Sequence, residues 1–217
     1  MTAHATVSPP RIPNALEPLT LDADDMLDEP AFTDVAVTGS QLAGTHAQAL
    51  AFTRMRLAKV NLSESRLPRF DISDVTFTDC NLSNLRTDEF SFRRAAIAQS
   101  KLTGIHFVSG TLGNTAFVDS MLDFARFDNV KFKNVSFLRC QIRDADFLNG
   151  SFEDVAFVEC DLSRSTFARL RIGASQMRGC RMTGLRGLNQ LKGITMAWND
   201  ILENAELFAA ELGIQIG

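Results

Sequence analysis

Four cysteines and three histidines are the residues of this chain with the widest chemistry. A thiolate can attack a carbonyl or bind a soft metal, and an imidazole can ligate a metal or carry a proton. Cys80, Cys140, Cys160 and Cys180 are spaced at multiples of twenty residues. No Cys-x-x-Cys pair occurs, so the usual zinc and thiol-redox spacings are missing. His4, His46 and His106 are scattered and form no site at the level of sequence. There is no nucleophile elbow, phosphate-binding loop, HExxH pair or dinucleotide fingerprint. The sequence therefore offers no catalytic, cofactor-binding or metal-binding constellation. The expectation is a protein that is not an enzyme and carries no cofactor.

What spaces the cysteines is a rhythm. In residues 150–171, GSFEDVAFVECDLSRSTFARLR, every fifth residue is bulky and apolar: Phe152, Phe157, Leu162, Phe167. Two places before each stands a smaller residue: Gly150, Val155, Cys160, Ser165. A period of five fits neither a helix nor a plain strand. The same register runs from residue 32 to residue 182, and only Ala47 and Thr87 break the apolar rule at the centres. The chain has 17 Phe and no Tyr, so its interior takes aromatic bulk without hydroxyls to satisfy. Fixed-period self-similarity of this kind is read before any helix or strand.

These blocks resemble the pentapeptide-repeat family, whose pattern is small, Asp/Asn, Leu/Phe, any, any. Asn61-Leu62, Asn81-Leu82 and Asp161-Leu162, preceded by Val60, Cys80 and Cys160, are among the closest matches. The resemblance covers residues 31 to 185. It implies an all-β solenoid, a right-handed quadrilateral parallel β-helix of about eight coils with a C-terminal capping α-helix. Each five-residue block forms one side, and twenty residues make one coil. Ala116, Ser136 and Ala156 depart from the Asp/Asn preference before the centre. With coils about 4.8 Å apart the body is a rod of roughly 35–40 Å. Each coil touches only its neighbours, so both open ends need covering.

The twenty-residue frame predicts which side chains stack. The four cysteines fall in one inward column with Val60, Ser100 and Ser120. Stacked inward thiols cannot surround zinc tetrahedrally, and parallel side chains suit a disulfide poorly, so the column reads as packing. His46, Arg66, Arg86, His106 and Arg126 form an outward column that ends at Asp146, a candidate anion stripe. Glu64, Asp88, Glu89 and Asp128 lie near enough to offset it. Val118, Leu138 and Val158 form an outward apolar column flanked by Ala116, Ser136 and Ala156. With Phe124 it is a candidate interaction patch. Around Thr87 the text LRTDEF puts a polar centre before bulky Phe90 and predicts a local distortion.

The ends differ from the middle. Residues 1–30 hold five of the six prolines and six acidic residues against Arg11 alone. They read as an acidic, Pro-rich arm, disordered or laid along the body, with Leu16, Leu19, Leu21 and Met26 as anchors. The repeat domain is expected over 31–193. Residues 194–217 are expected to form a capping helix and a short tail strand, Ile214 to Ile216. Trp198, Ile201, Leu202, Ala205, Phe208, Ala209 and Leu212 share a helical stripe that would cover the last coil, with Gly213 at its C-cap. Leu207 points away from that stripe. The resemblance implies that such a helix can join two copies, so Trp198, Leu202, Leu207 and Phe208 are the candidate cap or homodimer residues.

Charge narrows the function. Residues 31–185 carry 19 Lys+Arg and 16 Asp+Glu. The best-known members of the resembling family bind DNA gyrase or topoisomerase IV, some as mimics of duplex DNA, which needs a sustained acidic surface. The near-neutral repeats and their unbroken register disfavour that alternative. They equally disfavour direct nucleic-acid binding, which needs a long basic stripe. No apolar run is long enough for a membrane helix, and the start lacks the features of a secretory signal. The expectation is a cytoplasmic structural or protein-protein interaction rod with an unknown protein partner.

Overall fold

The residue two places after each apolar centre is where the chain turns. In the computed structural model, which describes residues 7–28 and 30–215, these corner residues lie in the left-handed region from Asp34 to Gly184, with Ala174 the exception. Twenty-five of the described residues there are not glycine. An L-residue pays roughly 1–2 kcal/mol for that conformation, less if it is Asn or Asp. What offsets the cost is visible in the hydrogen bonds. The corner N–H points along the axis and donates to a carbonyl of the next coil, as Asp119 does to Leu138 (3.0 Å) and Glu89 to Val108 (3.1 Å).

Between corners the chain is extended. Eight-residue strands such as Thr111–Val118, Lys131–Leu138 and Ser151–Val158 run across two sides and bend at one corner. Three-residue strands such as His106–Val108 and Arg126–Asp128 make a third side. The fourth side is closed by turns tied through bridges such as Lys101 to Met121 and Met121 to Gln141. Pairing is parallel throughout the repeats, each residue meeting the one twenty places on: Phe117, Phe137 and Phe157 form one such column. Their rings stack at 4.8 Å, nearly parallel, which is the coil spacing itself. Phe152, Phe157, Leu162 and Phe167 are all buried. No helix among the described residues is long and apolar enough to cross a membrane.

Thr87 does not distort the coil. It sits in the regular strand Arg86–Asp88, buried, and its Oγ1 donates to the Leu67 carbonyl at 2.6 Å. Bulk comes instead from Phe90 at the next inward position, whose ring lies 4.7 Å from that of Phe107. Gly110, one coil on, makes room for Phe90: a Cβ there would stand 2.2 Å from the ring. A small centre, a large neighbour and a glycine compensate one another across two coils.

Both ends extend the stack beyond the repeats. The arm strand Glu17–Leu19 pairs with Val35–Val37, and Ile194–Met196 pairs with Ser175–Met177. At the first end helix α1 (Ala23–Asp28) follows a capping box, Asp22 Oδ1 accepting from Asp24 and Asp25 while Asp25 accepts from Asp22. Leu21 and Met26 are buried over the first coil. The Pro-rich arm therefore lies along the body over its described residues.

The other end corrects the sequence reading. Instead of one helix there are two, α2 (Trp198–Glu203) and α3 (Ala205–Glu211), broken at Asn204, whose side chain donates to the Asp200 carbonyl. The last coil is covered mainly by Leu188 and Leu191, with Leu207 and Phe208 packed against the core. Leu207 thus faces inward. Trp198, Leu202 and Leu212 of the expected stripe are exposed. The terminal strand is Ile194–Met196, whereas Ile214 and Gln215 form none; His4 and Ile216 lie outside the described residues.

Candidate interaction surfaces

The cysteine column is a packing ladder. All four thiols are free and buried. Each donates to two main-chain carbonyls, Cys140 to Phe117 and Leu138 (3.5 and 3.4 Å) and Cys160 to Phe137 and Val158 (3.4 Å each). Burial pushes the Cys80 thiol up. Hydrogen bonding with Cys140, together with burial, pushes Cys160 up to about 12, and Cys180 is raised further by its bond with Cys160 and by burial. Thiols so raised are poor nucleophiles; the bond with Cys160 lowers Cys140 instead, and its burial is what keeps reagents away. Among the described residues no three His, Cys, Asp or Glu side chains gather as a metal site would require.

The cation column is assembled in register: His46 pairs with Arg66, Arg66 with Arg86, Arg86 with His106, and His106 with Arg126. Burial, then the charges of Arg126 and Arg86, hold the His106 imidazole below its usual value, so it is neutral at pH 7. Arg126 reaches Asp146 at 4.0 Å.

A pattern that sequence reasoning missed pairs five carboxylates along the rod. Asp34, Asp74, Asp119, Asp123 and Asp144 each receive an arginine from the next coil: Arg54, Arg94, Arg139, Arg143 and Arg164. Asp and Arg stand twenty residues apart in every pair, a signal present in the sequence once the coil length is known. The guanidinium forks onto both carboxylate oxygens, as Arg94 does on Asp74. These hydrogen bonds hold the carboxyls of Asp34, Asp74, Asp119 and Asp144 below the usual range.

In the apolar column Val118 lies beside Leu138 and Leu138 beside Val158. All three are half-buried, and Ala156 beside them is buried. Phe124 is 59% exposed but sits at a left-handed corner beyond the turn side, so it does not join this column. The larger exposed apolar group lies at the C-terminal end: Trp198 (70% exposed), Ile201, Leu202, Leu212 and Ile214. Beside it is a concavity of about 520 Å³ lined mainly by Leu188, Leu191, Ile194, Met196, Ile201 and Phe208.

The five-residue register, the left-handed corners and the twenty-residue coil decide the architecture. The fold is the quadrilateral parallel β-helix seen in pentapeptide-repeat proteins. No known family model matches the sequence, and no curated protein matches it. Among solved structures it is similar to a trypsin-treated variant of QnrB1, a plasmid-mediated fluoroquinolone resistance protein. That match has 14% identity and a TM-score of 0.47, over 93% of this chain and 98% of the other. It is also similar to HetL, a pentapeptide repeat protein involved in heterocyst differentiation regulation in the cyanobacterium Nostoc. There the identity is 14% and the TM-score 0.30, over 76% of this chain and 89% of that one. A third is Rfr23, a pentapeptide repeat protein of the cyanobacterium Cyanothece, at 16% identity and a TM-score of 0.21, over 50% and 61% of the two chains.

Proposed function

We propose that this protein is a non-enzymatic interaction rod of the pentapeptide-repeat type whose C-terminal end docks a protein, and that a second copy of the chain is one such partner. The exposed Trp198, Leu202, Leu212 and Ile214 carry the reading. Large apolar side chains left in water beside an apolar concavity are the mark of an interface. A patch at the end of a rod can pair with itself about a two-fold axis, which closes the assembly. The half-buried Val118, Leu138 and Val158 give the flank a smaller contact of the same kind. The Asp–Arg ladder and the slight basic excess of the repeats do not favour mimicry of duplex DNA.

Sedimentation equilibrium tests the proposal. The parent chain should sediment as a dimer and Leu202→Glu as a folded monomer. A monomeric parent, or a variant that still dimerises, would overturn the second copy as partner.

A further inference from the structure

Residues 8–19 run lengthwise down the rod, and among the described residues the polar contacts that hold them use their main chain. The Ser8 N–H meets Asn114 Oδ1 at 3.4 Å, and the Arg11 N–H meets Asp74 Oδ1 at 2.8 Å. Arg56 donates to the carbonyls of Pro13 (3.1 Å) and Asn14 (3.4 Å). The Glu17 N–H then reaches the Asp34 carbonyl, and the strand pairing with Val35–Val37 begins. From Arg56 to Asn114 is three coils, about 14 Å. Six residues of extended, proline-rich chain cover about 19 Å, enough to span it.

The surface beneath is built to receive a backbone. Asp74 is 6% exposed and is fixed by the fork of Arg94, so one carboxylate oxygen is aimed at the arm by a rigid partner. The outward positions beside these contacts are small on one side of the corner, Thr76, Ala96 and Ala116, and on the other Ser73 and Gly113 flank the exposed Arg93. The occupant, by contrast, is held loosely. From Val7 to Thr20 no residue is buried; Leu21 is the first. Few buried contacts and exposed hydrogen bonds mark a segment that opens at low cost.

We infer that the corner track from Arg56 through Asp74 to Asn114 is a peptide-binding groove that reads main-chain groups, occupied in the free protein by its own arm. The partner it fits is an extended, proline-containing segment of another polypeptide. That segment offers an N–H to Asp74 and carbonyls two and three residues later to Arg56. Such a segment competes with the arm, so the arm sets the threshold for its binding. This site is separate from the C-terminal end and stands or falls without it.

The test separates main-chain from side-chain reading. Arg11→Pro removes the N–H and keeps the chain extended, whereas Arg11→Ala keeps the N–H. All four native thiols are buried, so Ser8→Cys in the full chain takes a fluorophore selectively. Its anisotropy should stay high with Arg11→Ala and fall to that of a free tail with Arg11→Pro. A labelled peptide of residues 7–16 is then titrated into the full chains. The Arg11→Pro protein, with its groove vacated, should capture it at least about tenfold more tightly than the parent, the factor that one hydrogen bond to a charged acceptor supplies. Adding Asp74→Asn and Arg56→Ala should abolish capture. An arm that stays immobile in Arg11→Pro, or an Arg11→Pro protein that fails to bind the peptide, would overturn the groove. A peptide carrying Arg11→Ala that binds tenfold more weakly would overturn main-chain reading.

Discussion

Replacing Phe152 probes the physics that makes the rod. The ring is 1% exposed and meets four others, those of Phe132, Phe147, Phe157 and Phe167, at centroid distances of 5.0, 5.8, 6.0 and 6.2 Å. Phe152→Ala should cost about 3–5 kcal/mol, at the upper end because a close-packed coil collapses little around the hole. That is a large part of the roughly 5–15 kcal/mol by which a domain is stable. Phe32 is the comparison. It is 6% exposed in the first coil and meets one ring, Phe52 at 6.0 Å. Its replacement by Ala should cost about half as much and fray one end, because a solenoid's stability is a sum over neighbouring coils. Phe152→Asp adds a sign test. A carboxyl buried without a partner has its folded pKa raised, so the variant should be least impaired in acid and lose stability as pH rises through the unfolded carboxylate value. Urea denaturation followed by circular dichroism, with hydrogen exchange to place the loss, makes the measurement. Equal costs at positions 32 and 152, or an Asp variant as stable as the parent, would refute the neighbour-coil account.

Asp74→Asn removes the charge and one of the two oxygens that accept from Arg94 and Arg11, and should cost about 1.5–3 kcal/mol in thermal or urea melts, the range for hydrogen bonds to a charged group. Because Arg94 holds the Asp74 carboxyl low, this stabilisation is present above the unfolded value and lost as pH falls through the folded one; the parent and variant curves should converge in acid. The four thiols should stay unreactive to a thiol reagent in the folded protein and react together on unfolding, given their burial and the raised values of Cys80, Cys160 and Cys180; rapid labelling of any one at neutral pH would contradict the ladder.

The repeat body was legible because period five and coil length twenty fix each inward residue, and one count places Cys140 beneath Cys160 as well as Phe137 beneath Phe157. The same count held the Asp–Arg ladder, which became visible only when residues twenty apart were read as neighbours. Thr87 misled because a centre read alone does not show that Phe90 and Gly110 compensate it two coils wide. The C-terminal end was the least legible part. A stripe such as Trp198, Leu202 and Leu212 looks the same in sequence whether it is docked or bare. What decides is tertiary: Leu188 and Leu191 already cover the last coil, and Asn204 breaks the helix. The arm's course was equally hidden, since main-chain contacts leave no side-chain pattern.

Trp198 is the only tryptophan of the chain and stands 70% exposed at the proposed interface, so its own emission reports on the central claim. On raising the concentration of the parent protein the emission maximum should move to shorter wavelength as the indole leaves water, and it should stay fixed in Leu202→Glu. An emission maximum independent of concentration in the parent, with the indole still in water, would contradict docking of a second copy through this end.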